Sequence, residues 1–264
     1  MHVHSLWIYP VKSLAGIAVN EFELDEFGPA GDRRWMIIDD DGIFVTQRAN
    51  PELARIGVSL EQGSVQLEIP GQGQFTLSPT EERAETQVWQ DRTTAQLAQS
   101  GANEALSRFC ARSLRFAFMP PTSFRRVDPE RVPQQRRVSF ADGFPLLVTN
   151  LASLDDLNSR LEQPVEMRRF RPNVVIEGGE AWAEDHWSAL ELDGCRLTMA
   201  KPCSRCVLTT VDPDRGIKDP ATQPLRTLST FRRTEDGVIF GMNAIHDSLG
   251  RIRIGDAVTA NNTE

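Results

Sequence analysis

The sequence predicts a mainly β protein of the α+β class. Three observations lead there. Short apolar–polar alternations recur along the chain, the period-2 pattern of strands with one buried face. Turn dipeptides separate them at Asp41-Gly42, Pro70-Gly71 and Asp193-Gly194, where glycine tolerates the positive φ that a tight turn needs. Helical spacing is confined to a few stretches, at 103–111, 151–161 and 225–232.

Val3 to Tyr9 is predicted as a strand that stops at Pro10. Ile17 to Leu24 alternates again. Arg34 to Ile38 and Ile43 to Thr46 flank Asp41-Gly42 and read as a hairpin. Val65 to Ile69 and Gln74 to Leu77 form another, and Thr86 to Gln90 is a further short strand. Asn103 to Ala111 is a helix with Leu106, Phe109 and Cys110 on one face, so Cys110 reads as a core residue. Leu114 to Met119 is a strand ended by Pro120-Pro121. The polar stretch 121–138 carries Arg125, Arg126, Arg131, Arg136 and Arg137. It reads as a solvated loop, and it is the best candidate for a mobile connection or lid.

Pro145 to Thr149 is an apolar run and reads as a buried strand. Leu151, Leu154, Leu157 and Leu161 mark a helix, with Asp155 and Asp156 suited to its N-terminal part. Asn173 to Glu177 is a strand that stops at Gly178-Gly179. Ala189 to Leu192 and Arg196 to Ala200 form a hairpin that delivers the chain to KPCSRCVLTTVDPDRG at 201–216, where Val207 to Val211 reads as β. Leu225 to Arg232 is a short helix, and Val238 to Asn243 and Arg251 to Ala260 close the chain as strands. Closed barrels are a common way for such a chain to hide its sheet edges.

The 264 residues suffice for one large or two modest domains with ample core. The expected division is 1–119 and 120–264. A net charge of −8 argues against general nucleic-acid binding. No apolar run approaches membrane-spanning length, MHVHSLWIYP is not a signal peptide, and four widely placed cysteines are no disulfide framework. A reducing cytoplasm is therefore the expected location, with no membrane partner.

The chemistry concentrates at 201–216. Cys203 and Cys206 lie beside Lys201 and Arg205. Cationic neighbours lower a thiol's pKa and prepare it to bind a soft metal or attack an electrophile. On the residues alone three readings stay open. A structural zinc site needs two more ligands, and there is no second CxxC. A thioredoxin-like pair should open a helix, whereas this pair runs into a β-rich segment. The third reading is two ordinary buried cysteines.

The segment closely resembles the cysteine motif of the MOSC family, the molybdenum cofactor sulfurase C-terminal domain. YPVKSLAG at 9–16, GDRRWMIID at 31–39 and RRFRPNVVIEG at 168–178 fit the same resemblance. Their order looks like the two-part arrangement of the amidoxime-reducing MOSC proteins, an N-terminal MOSC barrel domain followed by the MOSC domain, itself built on a β-barrel.

The resemblance implies a molybdenum cofactor, a pterin with a dithiolene and a phosphate. Such a ligand needs a thiolate for the metal and cationic or hydrogen-bonding groups for the phosphate and pterin edge. The family's metal ligand maps onto Cys206, which would also be catalytic, while Cys203 maps onto a non-ligand. Lys12 with Ser13 can bind phosphate as a point charge plus a donor. Arg33 is the cofactor contact that the resemblance picks from the pair Arg33-Arg34. Arg171 and Asn173 bracket Pro172 and can be held as a rigid fork. Thr209 and Thr210, on a predicted strand, point to opposite faces, so one of them should meet the site. Asp212 is expected to shape the turn before Gly216. His186, in an acidic tryptophan stretch, reads as structural. Phe144 stands where animal amidoxime-reducing relatives tend to carry a small hydroxyl residue, and if it lines the pocket it should alter substrate shape preference.

The activity so implied is reduction of N-hydroxylated or N-oxygenated compounds, such as hydroxylamines, amidoximes and hydroxylated nucleobases. The oxygen would be removed at the cysteine-ligated molybdenum centre. A sulfur carrier that holds the cofactor is the alternative, and a metal-free β-barrel binding module is a third. The reductase would need a separate electron donor, a ferredoxin- or cytochrome-type protein with its reductase. Cys110 and Cys195 are too isolated for an iron–sulfur cluster, the chain ends soon after its closing strand, and no dinucleotide fingerprint is visible.

Overall fold

The computed structural model describes residues 1–263. The chain opens with β1 (His2–Ile8), β2 (Ile17–Val19), β3 (Glu21–Asp25), β4 (Gly28–Pro29) and β5 (Trp35–Ile38). A meander follows, of β6 (Gly57–Glu61), β7 (Ser64–Ile69) and β8 (Gly73–Leu77). Then come β9 (Pro79–Val88), β10 (Asp91–Ala98), α1 (Ser100–Cys110) and β11 (Arg115–Phe118). The second half holds β12 (Leu146–Asn150), α2 (Leu151–Ser159), β13 (Val174–Glu177), β14 (Trp187–Leu192) and β15 (Cys195–Ser204). It closes with α3 (Leu225–Phe231), β16 (Arg233–Thr234), β17 (Gly237–His246), β18 (Arg251–Arg253) and β19 (Thr259–Asn262).

The main sheet runs β19-β14-β15-β17-β12-β13-β1-β2, with β16 on β17. Its order places the first strand of the chain among strands from the second half, with Leu6 opposite Val174. Backbone bonds from Val3 to Asp256, from Gly255 to Val3 and from Val258 to Met1 tie β1 to the segment leading into β19. The sheet therefore curls into a barrel whose open edges are covered. β12 and β13 pair in parallel, and their apolar residues are buried without alternation, as expected of strands covered on both faces. Leu6, Val148, Val174, Leu190 and Leu197 fill this core.

A second core gathers Val11, Leu14, Trp35, Leu67, Leu106 and Phe116, with α1 packed over it. The segment after β1 thus leaves the barrel and enters this second core at Val11 and Leu14. That crossing places Lys12 and Ser13 where the two cores meet. A third cluster joins α2 and α3 through Leu157, Leu228, Phe170 and Phe240, whose rings stack 3.9 Å apart. Among the described residues, no helix is long and apolar enough to cross a membrane.

Besides adding the unexpected strands β6 and β10, the structure departs from the sequence-based expectation at four places. Ile43 to Thr46 is not a strand. The expected hairpin is begun, with Val45 donating to the Ile37 carbonyl, Asp39 to the Ile43 carbonyl, and Phe44 bridged antiparallel to Ile38. But the Asp39 carboxylate takes the amides of Asp41 and Ile43 and Phe44 donates to the Gln87 carbonyl, so no regular strand forms. Gly42 holds φ 76° against β9, where a Cβ would stand 2.2 Å from the Glu85 carbonyl oxygen. Second, the stretch 121–138 is no free loop. Arg125 is only 5% exposed. Its guanidinium donates to the carbonyls of Ser139, Ala141 and Asp142 and pairs with Asp91. Val127, Val132 and Val138 are buried beside it. A buried arginine with this many partners anchors a segment, which argues against a mobile lid.

Third, Val207–Thr210 forms a 3-10 turn, not a strand. The hydroxyls of Thr209 and Thr210 donate to the carbonyls of Cys206 and Val207, the local bonding by which threonine competes with a sheet ladder. Fourth, Arg251 to Ala260 is two strands, because 254–258 turns across β1.

Candidate cofactor site

A cleft of about 130 Å³ opens where the two cores meet. Of the residues expected to serve the site, Lys12, Ser13, Arg33, Arg171, Asn173, Cys206 and Thr209 line it. Thr210 does not: the 3-10 turn buries it completely.

The left-handed conformation recurs around the cleft. Ser13, Arg33 and Arg171 have φ of 71°, 47° and 56°, a region that costs energy for non-glycine residues and is enriched at functional sites. Lys12 is 6% exposed. Its ammonium donates to the Phe140 carbonyl at 2.8 Å and pairs closely with Asp142. Burial pulls the Lys12 pKa down to about 8, although Asp142 opposes the shift. Burial works to raise the Asp142 pKa, but the Lys12 charge and hydrogen bond hold it well below the usual carboxylate range. The buried Arg125 fixes the backbone that presents Asp142.

Arg33 pairs with Asp32 at 2.6 Å and donates to the Asn173 amide oxygen and the Arg171 carbonyl. The Asn173 amide is fully used within the protein. Its oxygen also accepts from the Leu147 amide, and its nitrogen donates to Trp7 and Asp32. Asn173 therefore lines the cleft as the piece that locks Arg33 to β12, β1 and Asp32.

Both arginines lie against the Tyr9 ring. The Arg33 and Arg171 guanidinium carbons lie 4.4 and 4.1 Å from its ring centroid, within cation–π range. Its hydroxyl is buried without a partner, and burial pushes its pKa up to about 12. Burial, followed by repulsion from Arg33, lowers the Arg171 pKa to about 10. Arg171 donates from Nη1 to the Leu14 carbonyl at 2.7 Å, while Nη2 is buried and unpartnered.

On the third wall, Arg205 bonds Cys203 and the Phe170 carbonyl, and its Nε is buried without a partner. Cys206 is exposed and lines the same cleft. Cys195 lies in the barrel core and Cys110 packs against the second core, and burial raises both thiols to about 11. Phe144 does line the cleft. Asp212 accepts from the amides of Asp214 and Arg215 and shapes its turn as expected. The Gly216 that follows has φ 63° and packs where a Cβ would stand 3.0 Å from Glu52 Cα. His186 is exposed at the end of a short turn and lines a different groove.

Sequence reasoning missed Tyr9, Asp142 and Arg205 as parts of the site. Tyr9 and Arg205 stand inside two of the quoted motifs, so that proximity was a usable signal. The contact of both arginines with one ring was not, since it needs Arg33 and Arg171 brought together from opposite halves of the chain. The alternative with two ordinary buried cysteines fails at Cys206, which is open to the cleft.

Comparisons with known proteins identify the family. Residues 1–114 match the MOSC N-terminal beta barrel domain, and residues 135–259 match the MOSC domain. The mitochondrial amidoxime reducing component 2 of Rattus norvegicus is 32% identical over 279 residues, covering 97% of this chain and 82% of that protein. The mitochondrial amidoxime-reducing component 1 of Mus musculus is 34% identical over 278 residues, with 97% and 81% covered. The human component 2 is 32% identical over 277 residues, with 97% and 82% covered. The chain belongs to the two-part MOSC family, an N-terminal MOSC barrel followed by a MOSC domain, as a homologue of the amidoxime-reducing components.

Proposed function

We propose that the cleft binds a molybdenum cofactor and reduces N-hydroxylated or N-oxygenated compounds such as hydroxylamines, amidoximes and hydroxylated nucleobases. The observation that supports this most is the unpartnered pair Arg171 Nη2 and Arg205 Nε, both buried, in the same cleft as an open thiol. A buried guanidinium N–H without an acceptor is costly. An anionic ligand would supply the missing acceptors, and a thiol nearby suits a soft metal. The residues present fit a ligand that is anionic at one end and metal-bearing at the other.

In this reading Lys12, Ser13, Arg33 and Arg171 hold the phosphate and pterin side, and Thr209 lines the wall below them. Asn173 keeps Arg33 in place. Cys206 supplies the metal-binding sulfur, and Arg205 keeps Cys203 out of that role. When bound, the cofactor supplies two-electron reduction of the N–O bond. The chain excludes bulk water from the cationic walls, narrows the mouth with Phe144, and admits protons from solvent at the open side. Electrons come from a separate ferredoxin- or cytochrome-type protein with its reductase.

Turnover of benzamidoxime by cofactor-loaded protein with reduced viologen tests the reading. Amidine formation by wild type is the expected result, with no turnover on NADH alone. A preparation that contains molybdenum and pterin but reduces no N–O substrate would contradict it and favour the sulfur-carrier alternative.

A further inference from the structure

The cleft carries a cation beyond those assigned to the cofactor. Arg48 lines it beside Thr46, and its Nε reaches the Thr46 hydroxyl at 3.5 Å. Among the described residues, Arg48 has no carboxylate within the 4.0 Å of an ion pair. Asp142 is the one acidic residue of the lining, and it is already held by Lys12 and by Trp89 Nε1. Lys12 and Arg33 have carboxylate partners in Asp142 and Asp32. Arg171 and Arg205 carry the orphaned nitrogens assigned above to the cofactor. Arg48 remains: it feels the Asp142 charge across the cleft but has no direct ion-pair partner among the described residues.

Trp89 braces this arginine. It lies in the turn between β9 and β10, and it is 41% exposed. Its φ of 57° is an outlier for so bulky a side chain. Two bonds hold it there: the Gln87 side chain donates to its carbonyl at 2.8 Å, and its own Nε1 donates to Asp142 at 3.2 Å. Phe44 packs beside it at 5.2 Å. The Arg48 guanidinium carbon then sits 4.2 Å from the Trp89 ring centroid. A guanidinium braced on an aromatic ring loses little charge and keeps N–H groups free for an oxyanion.

We infer that Arg48, braced by Trp89, binds an anionic group on the substrate, so that the cleft selects N-hydroxylated compounds bearing a carboxylate or phosphate away from the N–O group. This rests on the reductase reading of the cleft. Arg48 acts as a specificity-determining residue, and Trp89 positions it.

The test is equilibrium binding to oxidised holoprotein, which lacks the electrons to turn substrate over. Benzamidoxime is compared with 4-carboxybenzamidoxime, and N4-hydroxycytidine with its 5′-monophosphate, at low ionic strength. The charged member of at least one pair should bind about tenfold more tightly, the scale of one charge-assisted hydrogen bond. Which pair shows the gain identifies carboxylate or phosphate. Half-molar salt should shrink the preference, because the mouth is open to solvent. Arg48→Gln should bring the ratio close to one, and Trp89→Ala should reduce it. Equal binding within both pairs overturns the inference. So does an Arg48→Gln protein that keeps the preference, or one that loses its molybdenum and so places Arg48 in the cofactor set. Failure of the reductase reading shows separately, as absence of turnover when reduced viologen is added, whatever the binding ratios.

Discussion

Arg205 donates a hydrogen bond from Nη1 to the sulfur of Cys203 at 2.9 Å. Its other terminal nitrogen is fixed on the Phe170 carbonyl at 2.6 Å, so the contact is braced from behind. Cys206 is exposed, and its sulfur makes no hydrogen bond among the described residues. Both thiols of the Cys-x-x-Cys pair line the cleft, but Cys203 is held by Arg205 while Cys206 is the more exposed and unengaged one.

Cys203→Ser should keep its molybdenum content and most of its activity, because a serine hydroxyl can still accept from Arg205. Metal analysis and benzamidoxime turnover check this. A loss of metal as complete as that of Cys206→Ser would show that both sulfurs serve the metal.

Arg171→Ala should lower molybdenum occupancy about tenfold or more at limiting cofactor, the scale of charge-assisted hydrogen bonds. It should change the melting temperature of the metal-free protein little. Arg171 has no ion-pair partner among the described residues, and Arg33, a like charge, lies against the same Tyr9 ring. Removing one of two like charges offsets the lost Leu14 contact. A large drop in apo-protein melting temperature with normal occupancy would make Arg171 a structural residue.

Tyr9→Phe and Tyr9→Leu should separate. Phenylalanine keeps the ring that both arginines flank and removes a buried hydroxyl that has no partner, so occupancy should hold and stability should rise by up to about 1 kcal/mol. Leucine removes the ring and should lower occupancy. Equal molybdenum contents in the two variants would mean that the ring does not organise the arginines.

Glu184 offers a pH test remote from the cleft. It is fully buried beside α2, with one oxygen on the Ser153 hydroxyl and the other unpartnered. Burial raises its pKa from 4.5 to about 7. A carboxyl with a raised folded-state pKa contributes stability that is fully present below about 4.5 and is lost as pH rises through 7. Glu184→Gln should remove that slope, on the order of 2–3 kcal/mol between pH 4.5 and 8. Melting temperatures across this range check it, and parallel curves for wild type and variant would contradict the assignment.

The sequence revealed strands best where local pattern and tertiary role coincide. β12 and β13 are apolar runs buried on both faces, and the Asp193-Gly194 turn does join β14 to β15. It misled where side chains redirect the backbone. Thr209 and Thr210 have high strand propensity, yet their hydroxyls bond the preceding carbonyls and close a turn. Asp39 caps the Asp41-Gly42 turn, and the expected hairpin forms only as far as Val45. The arginines at 121–138 suggest a solvated loop until the carbonyls of Ser139, Ala141 and Asp142 are found around Arg125. In the site, the motif residues converge as their chemistry suggests. The packing of Arg33 and Arg171 on Tyr9 and the brace of Arg48 on Trp89 depend on contacts between distant segments, which no local pattern encodes.

Sulfur ligation at the metal is the most direct test of the account. X-ray absorption at the molybdenum edge should be recorded on wild type and Cys206→Ser, both loaded with cofactor in vitro. The account predicts one fewer sulfur neighbour in Cys206→Ser, with N–O reduction lost. An unchanged sulfur count, or a Cys206→Ser protein that still reduces benzamidoxime at the wild-type rate, would contradict it.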